Sequence, residues 1–406
     1  MRRKYLRFLA PLALVAVVAT ACSNDTDSTA ASDNPAASAG TGSEAGSTNG
    51  GASTLRAGLT GLLEEHVYLA GITTGTALGG GDYKVPAATL DANSVALSQA
   101  IGSVYGDAAG EQFLALWRKH IGFFVDYTTG VATNDKAKQA KARADLDGYR
   151  ADFGAFLASA NPNLTKQAVA DELKPHVESL FAAIDAQGAK DPAAFDKLRE
   201  AAGHMPMTAN VLAGAIAKQF PDKFSGSTDG GASTLRAGLT GLLSEHVYLA
   251  GITTGTALDG GDYKVPAATL DANSVALSQA IGSVYGDAAG EQFLALWRKH
   301  IGFFVDFTTG IATNDQGMQD KARADLDGYR ADFGAFLASA NPNLTKQAVA
   351  DELKPHVESL FTAIEAQGAK DPAAFDKLRE AAGHMPMTAN VLAGAIATQF
   401  PDKFAA

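Results

Sequence analysis

The stretch STLRAGLTGLLEEHVYLAGITTGTALGGG, residues 53–81, decides the fold. Leu55, Leu59, Leu62, His66, Leu69 and Thr73 recur at alternating steps of four and three, the spacing that lines one face of an α-helix. Ser53 is placed to cap the start by accepting from a free backbone N–H, and Gly79-Gly80-Gly81 ends the run. The spacing predicts a helix over about 54–78 with His66 at its midpoint.

Five further segments read the same way. A second helix is expected over about 87–105, with Leu90, Leu97, Ile101 and Val104 in phase and Gly106 as its stop. A third, capped by Asp107, covers about 108–130 and carries Phe113, Trp117, His120 and Phe124 on one stripe. A fourth, about 135–160, holds Leu146, Tyr149, Phe153 and Phe156. Thr165 opens a fifth, about 165–187, with Val169, Leu173, His176 and Leu180, closed by Gly188. Asp191-Pro192 opens a sixth, about 192–219, which contains His204 and ends at Pro221. No segment alternates with a period of two, so the expected class is all-α, with no sheet.

The unit is written twice. Residues 51–224 and 231–404 align without a gap and differ at 11 of 174 positions. The spacer is copied as well, since Gly46-Ser47-Thr48-Asn49-Gly50 returns as Gly226-Ser227-Thr228-Asp229-Gly230. The expected plan is two tandem, near-identical helical bundles of about six helices each, repeat 1 over 54–224 and repeat 2 over 234–404, with a linker over 225–233.

The N-terminal residues read as an export signal. Arg2, Arg3, Lys4 and Arg7 precede an apolar run from Leu9 to Val18, too short to cross a hydrocarbon core of about 30 Å as a helix. Ala19-Thr20-Ala21-Cys22 follows, resembling a bacterial lipobox with Ala at the position usually held by Leu. The resemblance implies a signal peptide over 1–21, cleavage before Cys22 and lipidation of that residue. Cys22 is the one cysteine, so no intramolecular disulfide forms. The rest of 22–53 is small and polar, too poor in apolar side chains to fold. As a flexible tether of ~31 residues it reaches roughly 30 Å. The expectation is a protein on the extracytoplasmic face of the cell membrane, anchored by its N-terminal lipid.

Loss of the leader moves the formal charge from −11 to about −15. No basic patch with interleaved aromatics is present, which argues against nucleic acid as a partner. There is no P-loop, dinucleotide fingerprint or nucleophile elbow. Cysteine chemistry is excluded beyond the anchor. The chain reads as a non-enzyme, and a protein partner stays open.

The histidines are the constellation that looks like chemistry. His66, His120, His176 and His204 return as His246, His300, His356 and His384, each 180 residues on. Within one repeat each lies near the middle of a predicted helix, so in a bundle of similar-length helices all four share one height. Imidazole suits copper, zinc, iron and nickel. Met205 and Met207, with Met385 and Met387, flank the last histidine of each set and offer thioethers suited to Cu(I) or haem iron. Glu172 and Glu200, with Glu352 and Glu380, stand one helical turn before a histidine as auxiliary groups. Pro175 and Pro206 sit close by and can kink their helices. In the opposing reading the histidines are neutral core side chains, with Thr73, Thr128, Asp126 and Tyr127 as local partners.

The segments Glu65-His66-Val67-Tyr68-Leu69, Leu116-Trp117-Arg118-Lys119-His120-Ile121 and His204-Met205-Pro206-Met207, with the closing Gln219-Phe220-Pro221-Asp222-Lys223-Phe224, look like a family of exported helical lipoproteins of Gram-positive bacteria. Many of its members are labelled copper amine oxidase. That chemistry needs a Tyr converted to a quinone in an Asn-Tyr context and a His-x-His copper pair on a mostly β fold, and this chain has neither motif. The resemblance implies a helical extracytoplasmic domain and transfers no catalytic residue. Two functions follow as expectations. One is a binding lipoprotein holding a transition metal, copper first, or haem at the histidine layer. The other is a non-catalytic structural or interaction protein of the envelope.

Overall fold

A computed structural model describes residues 47–404. The predicted leader, Cys22 and most of the predicted tether lie outside the described residues. Repeat 1 contains α1 (Gly51–Leu78), α2 (Lys84–Tyr105), α3 (Asp107–Ala132), α4 (Lys136–Ala160), α5 (Lys166–Ala189), α6 (Ala194–Gly203) and α7 (Met205–Gln219). Repeat 2 contains α8 (Gly231–Leu258), α9 (Lys264–Tyr285), α10 (Asp287–Ala312), α11 (Gln316–Ala340), α12 (Lys346–Gly368), α13 (Ala374–Gly383), α14 (Met385–Gln399) and a short α15 (Pro401–Phe404). No strand occurs among the described residues. The all-α class and the duplication therefore stand as the sequence predicts. No described helix is long and apolar enough to cross a membrane.

Local chemistry sets most of the ends. Asp135 caps α4 by accepting from Lys138 N at 3.0 Å, and Thr165 caps α5 by accepting from Ala168 N at 3.1 Å, each worth about 1 kcal/mol. Gly106 ends α2 at φ 92°, a conformation a side chain resists. Four ends differ from expectation, beginning with Asp107, which is the first residue of α3 and makes no capping bond. Ser53 is not a cap: α1 begins at Gly51, and Ser53 is buried within its first turn. Gly188 does not close α5, which runs on to Ala189 and ends on Lys190 in the left-handed region at φ 54°. The predicted sixth helix is two, because α6 ends at Gly203 and α7 restarts at Met205. The cause is Pro206, which has no N–H to donate and whose ring collides with the carbonyl four residues back. Pro175, by contrast, sits inside an unbroken α5.

Each repeat is a ring of helices around its first. Helix α1 touches α2, α3, α5, α6 and α7, and consecutive helices from α2 to α6 pack in sequence order. Every residue from Leu63 to Gly71 is buried. A helix with one apolar stripe would leave half of these exposed. The other half of α1 is covered by α8, the first helix of repeat 2. Both repeats fall within one compact unit, and one hydrophobic cluster runs through both.

The pairing is reciprocal. Arg199 Nε meets Glu245 at 2.6 Å, and Arg379 Nε meets Glu65 at 2.6 Å. Thr269 donates to Asp196 at 2.6 Å, and Thr89 donates to Asp376 at 2.6 Å. Arg56 donates to the carbonyl of Thr228 at 2.5 Å, and Arg236 to that of Thr48 at 2.6 Å. Each contact returns with its partners exchanged between repeats, which is the signature of a two-fold axis and an isologous interface. The axis runs between α1 and α8.

Candidate functional site

The structure brings three of the four predicted histidines together. His66 on α1 and His120 on α3 face each other with their Nε2 atoms 3.2 Å apart. His176 on α5 stands beside them, its ring centroid 6.4 Å from that of His66. All three are buried, His66 to 1 % exposure. Repeat 2 builds the same group, with His300 and His246 Nε2 atoms 3.2 Å apart and His356 at 6.3 Å. Helix α1 is the central helix and α3 and α5 flank it, so mid-helix positions on their inner faces must meet.

His204 is separated from this group. It forms the break between α6 and α7 and is half-buried, as is His384. It still stands near enough to His176 to lower the latter's pKa. The auxiliary residues also lie elsewhere. Glu172 accepts from Thr208 at 3.1 Å and Glu352 from Thr388 at 3.1 Å. Glu200 and Glu380 are exposed. Met205 and Met385 are buried core side chains, whereas Met207 and Met387 are 58 % and 57 % exposed. Among the described residues, no three His, Cys, Asp or Glu side chains converge closely enough to hold a metal ion together. The layer of four is thus a close pair, a near third and an outlying fourth.

Two aromatic side chains complete the centre. Trp117 lies 4.9 Å from His66 and 4.5 Å from His120, centroid to centroid, and Tyr149 lies 5.1 Å from His120. Both were legible only as apolar stripe positions. Trp117 stands three residues before His120, and so on the same helical face.

Burial dominates the electrostatics. It drives His66 down to about 3, with His176 adding to the shift. Burial also takes His176 down to about 4, opposed by a backbone group of Ala201 and helped by His204. His120 falls well below the ordinary imidazole value through burial, then through His66 and His176, against a backbone group of Trp117. Burial raises the Tyr149 phenol. The centre is therefore a set of neutral imidazoles at any physiological pH.

It is also polar and unsatisfied. The Nδ1 atoms of His66, His120 and His176, the Nε1 of Trp117 and the Oη of Tyr149 are all buried without a hydrogen-bond partner. The matching five atoms of repeat 2 are in the same state. Native cores leave few such groups, and each costs about 1–3 kcal/mol. The local partners expected from sequence are engaged elsewhere: Thr73 donates to Leu69 O, Thr128 to Phe124 O and Tyr127 to Asp185, while Asp126 pairs with Lys138. An apolar cleft of about 140 Å³ between α1, α2 and α3 leads to His66, past Leu90, Ile121 and Phe124. The Arg118–Asp91 pair stands at its outer end, both side chains about half exposed.

No family model, no curated protein and no solved structure matches the chain.

Proposed function

We propose that the protein is a membrane-anchored, extracytoplasmic binding lipoprotein whose repeats each hold one transition-metal ion, copper first, between His66 and His120 and between His246 and His300. The observation that carries this reading is the approach of two buried, neutral imidazoles, His66 and His120, through their Nε2 atoms. With metal–nitrogen bonds of about 2.0–2.1 Å, two ligands on opposite sides of an ion stand roughly 4 Å apart. The two rings need to part by less than 1 Å to reach that separation. The donor set is neutral and holds no carboxylate. Desolvation cost rises with the square of an ion's charge, so this core favours the monovalent Cu(I), which accepts two ligands, over divalent ions. The 3.2 Å approach favours a bare ion over haem, whose porphyrin would have to enter between the rings. Anchoring rests on the lipobox-like Ala19-Thr20-Ala21-Cys22, and Cys22→Ser is expected to release the protein from membranes.

A second reading has its own support. At 3.2 Å one imidazole N–H donates to the other ring's nitrogen, so the pair satisfies itself as a core hydrogen bond. The protein is then a structural or interaction component of the envelope. Anaerobic titration of the full-length protein with Cu(I) against a chromophoric chelator separates the two. Two equivalents per chain, falling to one in His120→Ala, support the metal reading. Less than one equivalent of Cu(I), Zn(II) and haem alike supports the core reading.

A further inference from the structure

A second site lies between the repeats, away from the histidines. A cleft of about 610 Å³ opens between α1, α6 and α8, within the size range of small-molecule sites. Glu64, Asp196, Arg199, Glu200 and Glu245 contribute its charged lining. Arg199 is committed to Glu245, which also accepts from Asn273 at 2.8 Å and from Tyr68 at 2.9 Å. Asp196 and Glu200 form no ion pair among the described residues, so the cleft is acidic. Its remaining walls are small or apolar, Leu242 and Ala272 among them.

Glu64 sets this cleft apart. It is only 5 % exposed, and its Oε2 is buried with no hydrogen-bond partner. Its carboxyl lies against Gly241 of α8, where a Cβ would come within 2.5 Å of Oε1. Burial first, and Glu245 second, push its pKa well above the usual carboxylate range. An unpaired carboxyl in an interface costs stability. The fold does not need it, because the equivalent residue in repeat 2 is Ser244, equally buried at the other side of the same axis.

We propose that the cleft between α1, α6 and α8 binds a small organic cation with an aliphatic body, an amine in its ammonium form, with Glu64 as the ion-pair partner and Asp196 and Glu200 drawing the charge in. The symmetry-related cleft, with Ser244 in that place, lacks the partner, so each chain holds one site.

Calorimetric titration of the full-length protein with 1,4-diaminobutane and with n-butylamine at neutral pH tests this. One site per chain is expected, with affinity at least tenfold weaker in Glu64→Ser and in Glu64→Gln. Glu64→Ser copies the residue already present in repeat 2, and its thermal unfolding is expected at or above that of the parent. Two equal sites, unchanged affinity in both variants, or no heat from either amine at about 10 mM would overturn the proposal.

Discussion

Tyr68 and Tyr248 stack in parallel between the two repeats, ring centroids 5.6 Å apart and planes within 6°. They are the same residue of the two repeats, both fully buried, and they mark the point where α1 and α8 meet. Such a stack adds about 0.5–1.5 kcal/mol beyond the area it buries. Around it stand the exchanged pairs Arg199–Glu245 and Arg379–Glu65.

Those pairs make a first prediction. Glu65 has a side chain 11 % exposed, and Arg379→Ala leaves it without its cation. The expected loss is roughly 3 kcal/mol, because a buried charge stripped of its partner costs more than the pair contributes. Arg118→Ala removes an ion pair whose side chains are 49 % and 48 % exposed, and should cost less than about 1 kcal/mol. Urea unfolding of both variants measures the difference. Equal losses would mean the interface pair is no more than a surface contact.

The chain's two tryptophans are Trp117 and Trp297, and each stands against a histidine pair, Trp297 at 4.9 Å from His246 and 4.4 Å from His300. Copper held there sits beside every tryptophan the protein has. Intrinsic tryptophan fluorescence should therefore fall in proportion to loading and level off at two equivalents. Full copper uptake with undiminished tryptophan emission would place the metal elsewhere.

Acid should weaken the metal-free fold through these same histidines. His66 and His176 titrate at about 3 and about 4 when folded, but near 6.5 when unfolded. As pH falls below about 6.5 the unfolded chain takes up protons that the folded chain refuses. Stability is then whole above that pH and declines toward pH 4, each such group approaching about 1.36 kcal/mol per pH unit. The melting temperature of His66→Phe/His246→Phe should fall less steeply than that of the parent between pH 6 and 4. Parallel slopes would show that the histidines do not set the acid response.

Two glycines of α4 separate packing from chain entropy. A Cβ at Gly154 would lie 2.4 Å from the carbonyl oxygen of Lys166, a backbone atom that cannot swing aside. Gly154→Ala should destabilise by about 1–3 kcal/mol. Gly148, on the same helix, has nothing within 4 Å of such a Cβ, and Gly148→Ala should stabilise by about 0.5–1 kcal/mol. Thermal unfolding of the two variants is expected to move in opposite directions.

Helices were legible because capping and period agree. Thr165 caps where expected, and the apolar series of α3 and α5 point inward as read. The break at His204 was half visible: Pro206 announces a disturbance, while Pro175 shows that the same residue type can be absorbed. What periodicity could not show is what covers the second face of α1. A stripe reports one buried side, and Glu64, Glu65 and Tyr68 fall off the stripe, where a single helix would expose them. Their burial depends on a partner 180 residues away in sequence. For the centre, the sequence pointed to His66, His120 and His176. It did not reveal Tyr149, because a tyrosine on an apolar stripe reads as core until its hydroxyl is found without a partner.

A homodimer must make every substitution twice, once on each side of its axis. Here the axis lies inside one chain, so either side is free to change alone, and it has. In repeat 1 Tyr127 bonds both Arg143 and Asp185, which also pair directly at 3.3 Å, whereas in repeat 2 Phe307 has no hydroxyl and the longer Glu365 makes a shorter direct pair with Arg323. The join at residues 225–233 thus does more than hold two bundles together. It lets the two halves hold different contacts at equivalent positions, a division of labour that no symmetric assembly of identical separate chains can reach.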